Sequence, residues 1–226
     1  MELTLINLFS IFVVILILDD ENMDVTNRNR KIILISLFAA LTAVGSFVKI
    51  PLPHVPITLQ TFFVIMGGNL LGYKYGALSQ ILYLILGLIG IPIFAYGGGP
   101  AYIFQPTFGY LLGYPVCALI IGLLIKFFFS KISKTDSKIK YAAAIFLSDI
   151  IGVFIIFLFG LSYLYLNIKY GLYLHLDNMT ASLNWNSAIK TTFLIFFPID
   201  LVKVSLATLL TMKLKNIDMF SHKSIG

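Results

Sequence analysis

The chain has 226 residues, of which 59% are hydrophobic and only 12% charged, and its mean hydropathy is +0.95. Soluble domains run near half apolar and about a quarter charged, and a water-soluble core of this length would leave large apolar patches uncovered. Composition therefore reads as an integral membrane protein. The net charge of +6 comes from basic residues at the ends of apolar runs, where they set topology; a nucleic-acid partner is not expected. The single Cys117 excludes an internal disulfide framework and a four-cysteine zinc site.

Residues 1–22 form an apolar extension that ends in Asp19, Asp20 and Glu21. It lacks the basic start and small-residue cleavage site of a signal peptide, it is short for a span, and its role stays open. Residues 23–226 read as one membrane domain. Apolar runs predict transmembrane helices at 31–50, 57–72, 76–93, 106–129, 141–166 and 189–213, each near membrane-spanning length. The fold class is all-α with six spans. Between them stand breakers: Pro51, Pro53 and Pro56, then Gly72 and Gly76, then Pro92 and the Gly97-Gly98-Gly99-Pro100 run, then Pro106.

Lysine and arginine fix the expected orientation. Arg28, Arg30, Lys31, Lys74, the Lys126–Lys140 cluster, Lys213, Lys215 and Lys223 all fall on one side of a six-span topology. Lys49, Lys169 and Lys190 fall on the other. The positive-inside rule places both ends of the body in the cytoplasm. No G-x-x-x-x-G-K-[ST] phosphate loop, H-E-x-x-H zinc motif or G-x-S-x-G elbow occurs, and His54, His175 and His222 are too scattered for a metal site. Neither an enzyme nor a metal or cofactor site is expected. Asp149 is expected to pair with the lysine-rich segment.

Three segments carry chemistry. Phe197-Pro198-Ile199-Asp200-Leu201-Val202-Lys203 puts a carboxylate and an ammonium three residues apart, on one helical face. Ionisable groups within a bilayer face a cavity or a partner, so the pair is either an internal ion pair or a ligand clamp. The loop Tyr96-Gly97-Gly98-Gly99-Pro100-Ala101-Tyr102-Ile103-Phe104-Gln105 lies on the same expected side. It is either a plain turn or a glycine-hinged lid with aromatic walls. Ala39-Ala40-Leu41-Thr42-Ala43 sets small residues four apart, a spacing that lets another helix approach closely; on its own it reads as internal packing.

Read in order, these residues resemble a family. Lys49-Ile50-Pro51-Leu52-Pro53-His54-Val55-Pro56-Ile57-Thr58-Leu59-Gln60-Thr61-Phe62 is similar to the opening signature of BioY proteins, the biotin-specific substrate-binding (S) components of energy-coupling factor transporters. Gly87-Leu88-Ile89-Gly90-Ile91-Pro92-Ile93-Phe94, the glycine loop and Gln105-Pro106-Thr107-Phe108-Gly109-Tyr110-Leu111-Leu112-Gly113-Tyr114 continue it. Phe197 to Lys203 resembles its closing Pro-Gly-Asp-Leu-x-Lys element, with Ile199 in place of the glycine. After Arg30 the chain has no arginine, although family members commonly set a further polar or basic ligand contact between the third and fourth helices.

The resemblance implies a six-helix, multi-pass subunit of the cell membrane that captures biotin outside. It would deliver biotin while docked on a transmembrane coupling protein driven by two ATPases. It implies that Asp200 and Lys203 contact the ligand; from the residue types of the loop itself, Tyr96, Gly98, Tyr102 and Gln105 are expected to join them. Ala39 and Ala43 become the docking contact. Biotin is then cargo, not a cofactor. The alternative is an S component for another vitamin or small organic anion.

Overall fold

The apolar runs fold as helices, and the proline and glycine clusters as the connections between them. The computed structural model describes residues 25–51, 55–132, 137–170 and 195–214. The extension 1–22, the segment 171–194 and the expected helix start at 189 lie outside the described residues. Helix α1 covers Val25–Phe47, α2 Gln60–Ile89, α3 Phe108–Lys131, α4 Lys138–Tyr170 and α5 Phe197–Leu214. Between α1 and α2, β1 (Lys49–Ile50) pairs antiparallel with β2 (Ile57–Thr58), so that Lys49 faces Thr58. Pro100–Phe104 winds a short 3-10 turn.

The expected second helix starts three residues late, because 57–58 are extended. Pro56 has no N–H to give a helix and pushes the residue before it toward extended backbone. Leu59 then closes the turn by donating its N–H to the carbonyls of Gly45 and Val48, both at 3.1 Å.

Two expected spans are the two halves of α2. Gly72, at φ 75° and ψ −177°, breaks it, in a region of backbone space that is essentially glycine-only. The halves fold back on each other: a Cβ added at Gly76 would stand 2.9 Å from the Gly67 carbonyl oxygen, and Gln60 reaches Tyr83 from one half to the other. The described residues thus hold six helical segments in the expected chain order. By length and composition, three helices (Asn27–Phe47, Phe108–Lys131 and Lys138–Asn167) can cross a membrane.

Apolar side chains point both ways. Ile35, Val64, Ile65, Ile121, Ile145 and Val204 are buried between helices, while Ile33, Phe47, Leu158 and Leu209 are more than half exposed. A surface this apolar suits lipid, not water.

Basic side chains gather at the end of the bundle marked by Gly72. The Lys31 ammonium sits 4.7 Å from the Tyr75 ring centre, and that of Lys126 5.3 Å from Tyr73. Just inside this end, Asp149 of α4 is fully buried. Its Oδ2 accepts hydrogen bonds from Asn69 Nδ2 and Thr208 Oγ1, both at 3.2 Å, and Asn69 Nδ2 also reaches Thr211 Oγ1 at 3.1 Å. A carboxylate this deep persists only when hydrogen-bonded. The knot ties α2, α4 and α5 together.

Nothing lies within 4 Å of a Cβ added at Gly72, so any substitution there is penalised by backbone conformation alone. Gly72→Ala is expected to destabilise the purified protein by about 1–3 kcal/mol, read as a lower thermal unfolding midpoint in detergent with helix content unchanged.

Candidate functional site

The α-helical part of α5 begins at Phe197, directly after a π-helical turn at 195–196, with Pro198 as its second residue. One turn on, Asp200 and Lys203 project to the same side, 4% and 8% exposed. Lys203 Nζ lies 2.6 Å from Asp200 Oδ1. They face a small, partly open cavity at the end of the bundle opposite Gly72.

Five parts of the chain build the walls. Thr58 and Gln60 come from the β2–α2 junction, Ala95 and Tyr102 from the α2–α3 loop, and Thr107, Tyr110 and Tyr114 from the start of α3. Ile156 and Phe157 of α4, with Phe196 and the ion pair of α5, complete them. Aromatic and aliphatic faces surround a few fixed polar groups, the usual composition of a ligand site.

The loop contributes less than its sequence implies. Tyr102 is buried, with its ring 4.6 Å from that of Phe94, and its oxygen accepts a hydrogen bond from Thr107 Oγ1 at 3.0 Å. Burial pushes the Tyr102 phenol above the ordinary tyrosine range, against a smaller opposing effect of the Thr107 bond. It therefore keeps its proton and can donate it. Tyr96, Gly98 and Gln105 do not line the cavity. Tyr96 is half exposed, and the Lys49 ammonium lies 5.0 Å over its ring while donating to the Ala95 carbonyl. Gln105 points outward. Gly98 is needed for its own chain: a Cβ there would meet the Ile91 carbonyl oxygen at 2.2 Å, because the loop folds back onto the end of α2. The close approach at this glycine is to backbone, not to ligand.

Ala39 and Ala43 stand apart from the cavity. Ala39 is buried in the core at 3% exposure, and Ala43 is half-buried. The outward face of α1 is formed by Ile33, Leu37, Ala40, Val44 and Phe47.

Gln60, Thr58 and Tyr114 are the functional candidates that sequence reasoning missed. Gln60 is 2% exposed and lines the cavity. Its Oε1 accepts from Thr58 Oγ1 at 2.9 Å and lies 3.5 Å from the Tyr114 hydroxyl. The signal was a glutamine and a threonine at the head of an otherwise apolar helix, inside a motif read only as a signature.

An apolar helix bundle with a polar and aromatic cavity at one end defines a multi-pass membrane protein with a small-molecule site. Residues 20–218 match the sequence model of the BioY family. The chain is 35% identical over 191 residues to the biotin transporter BioY of Thermotoga maritima, covering 84% of this chain and 98% of that protein. It is 46% identical over 134 residues to the probable biotin transporter BioY of Lysinibacillus sphaericus, covering 59% of this chain and 64% of that one. The chain belongs to the BioY family. Its fold matches the crystal structure of the S-component for biotin from an ECF-type ABC transporter with a TM-score of 0.67, at 24% identity, over 88% of this chain and 97% of that one.

Removing one partner of a buried ion pair strands the other, whereas replacing both with apolar groups need not destabilise. Lys203→Met is expected to lower stability by about 3 kcal/mol, and the double variant Asp200→Leu/Lys203→Met to recover most of it. Thermal unfolding of the two variants in detergent checks this; equal losses would show that the pair is not coupled.

Proposed function

We propose that this chain is the biotin-capturing S component of an energy-coupling factor transporter in the plasma membrane. Family membership and the fold support the class. The observation that carries the reading is the buried Asp200–Lys203 pair facing a cavity lined by aromatic rings.

Biotin presents an apolar bicyclic body, a ureido group with two N–H donors, and a carboxylate. Asp200 and Lys203 pair with each other at 2.6 Å. Biotin enters by exchanging those partners. Asp200 accepts a ureido N–H, and the Lys203 ammonium, freed on its flexible stem, turns to the carboxylate. Tyr102, Tyr110 and Phe157 cover the ring system. The loop over the cavity, fastened by Lys49 to the Ala95 carbonyl, acts as the lid.

Orientation follows from charge. Lys31, Lys74 and Lys126 lie at the Gly72 end of the bundle, and with six spans the positive-inside rule makes that end cytoplasmic. The cavity then opens to the exterior. Transport requires a transmembrane coupling protein and two ATPase subunits, since this chain has no phosphate loop of its own. Docking takes place along α1. Because Ala39 is buried, a partner helix meets Ala43 and the neighbouring Ala40 and Val44 first. The alternative cargo, another vitamin or small organic anion, is addressed by the same titration.

Isothermal titration of the purified chain against a panel of vitamins tests the reading: tight binding of biotin alone supports it, and preference for another vitamin replaces it. Lys203→Ala removes a charge-assisted hydrogen bond of about 1.5–3 kcal/mol, so biotin affinity should fall roughly ten- to a hundredfold; wild-type affinity in that variant would refute the assignment. Ala43→Trp is expected to block uptake or assembly with the coupling protein while leaving biotin affinity in detergent unchanged. Lost affinity would mean that Ala43 serves packing instead.

A further inference from the structure

Gln60 is held between two hydroxyl groups, those of Thr58 and Tyr83. Tyr83, fully buried in the second half of α2 and behind the cavity wall, spends its single proton on the Ile93 carbonyl at 3.1 Å. Its oxygen then accepts a hydrogen bond from Gln60 Nε2. Thr58 approaches from the other side at 2.9 Å and donates to Oε1. Oε1 is therefore the end with a site to spare, since its second potential donor, the Tyr114 hydroxyl, stands off at 3.5 Å, the outer limit for such a bond.

We infer that Gln60 Oε1 is an acceptor for a ligand N–H, and that Tyr83 is a positioning residue which holds that acceptor in place from outside the cavity. This rests on the biotin reading and deepens it: a cyclic urea has two N–H donors, one for Asp200 and the second for Gln60. Tyr83 also joins the site to the lid. Ile93 lies on the loop beside Phe94, whose ring meets that of Tyr83 edge-on at 5.3 Å, so one hydroxyl reads the position of the loop on one side and orients the acceptor on the other. A rotated amide would turn N–H donors toward the N–H donors of the ligand and select against ureas.

A double-mutant cycle on biotin affinity tests the relay. By isothermal titration, Tyr83→Phe, which keeps the ring, should weaken biotin binding about three- to tenfold, and Gln60→Leu by at least as much. The double variant should be no weaker than Gln60→Leu alone, because Tyr83 acts through Gln60. A Tyr83→Phe variant with wild-type affinity overturns the relay, and so do losses that multiply, which would mark Tyr83 as a packing or loop residue. Should Tyr83→Phe not fold, Gln60→Glu keeps an acceptor in the cavity with nothing to donate to Tyr83. A tenfold loss there supports the relay, and wild-type affinity overturns it. If the wild-type chain itself does not bind biotin, the functional reading falls first and takes the relay with it.

Discussion

An ammonium and a carboxylate held together inside an apolar bundle govern much of this structure. Each would be prohibitively unstable alone at that depth, and together they remain a place where charge is kept out of water but not out of reach. Everything around the pair serves that condition. The α-helical part of α5 begins in time to bring both side chains to one face, the first turns of α2 and α3 bring hydroxyl and amide groups to the opposite walls, and the α2–α3 loop covers the top. Each group of the pair is already satisfied by the other, which is what lets both stay buried.

The two ends of the bundle are built differently. At the cavity end the connections are loops and a two-residue ribbon, held by backbone hydrogen bonds such as Gly99 N–H to the Gly87 carbonyl and by Lys49 donating to the Ala95 carbonyl. At the Gly72 end the helices are joined by Asn69, Asp149, Thr208 and Thr211, buried side chains on three helices, with basic residues and tyrosine rings around them.

Much of the architecture was legible in the sequence, because span length and breaker residues are strong signals in an apolar chain. The helices at 31–50, 106–129 and 141–166 are found, although α1 runs from 25 to 47 with Lys49–Ile50 in a strand, and α4 extends beyond both ends of its expected range. Gly72 was read as a breaker, but the φ 75° reversal that turns one continuous assignment into a helical hairpin is visible only in the backbone. Residues 57–58 were placed in a helix, and Pro56 gave the warning. Asp200 and Lys203 stood out because charge is scarce in such a chain. Gln60, Thr58 and Tyr114 did not: uncharged polar residues near helix starts look like ordinary capping groups. Gly98 misled for a related reason. Glycine marks close approach of backbone to something, and sequence alone does not name what.

The Asn69–Asp149–Thr208 knot has a mechanical consequence. Helix α5 reaches both ends of the bundle: its first turns hold Asp200 and Lys203 at the cavity, and its later turns hold Thr208 and Thr211 at the knot. One rod thereby ties the position of the ion pair to the packing of the opposite end.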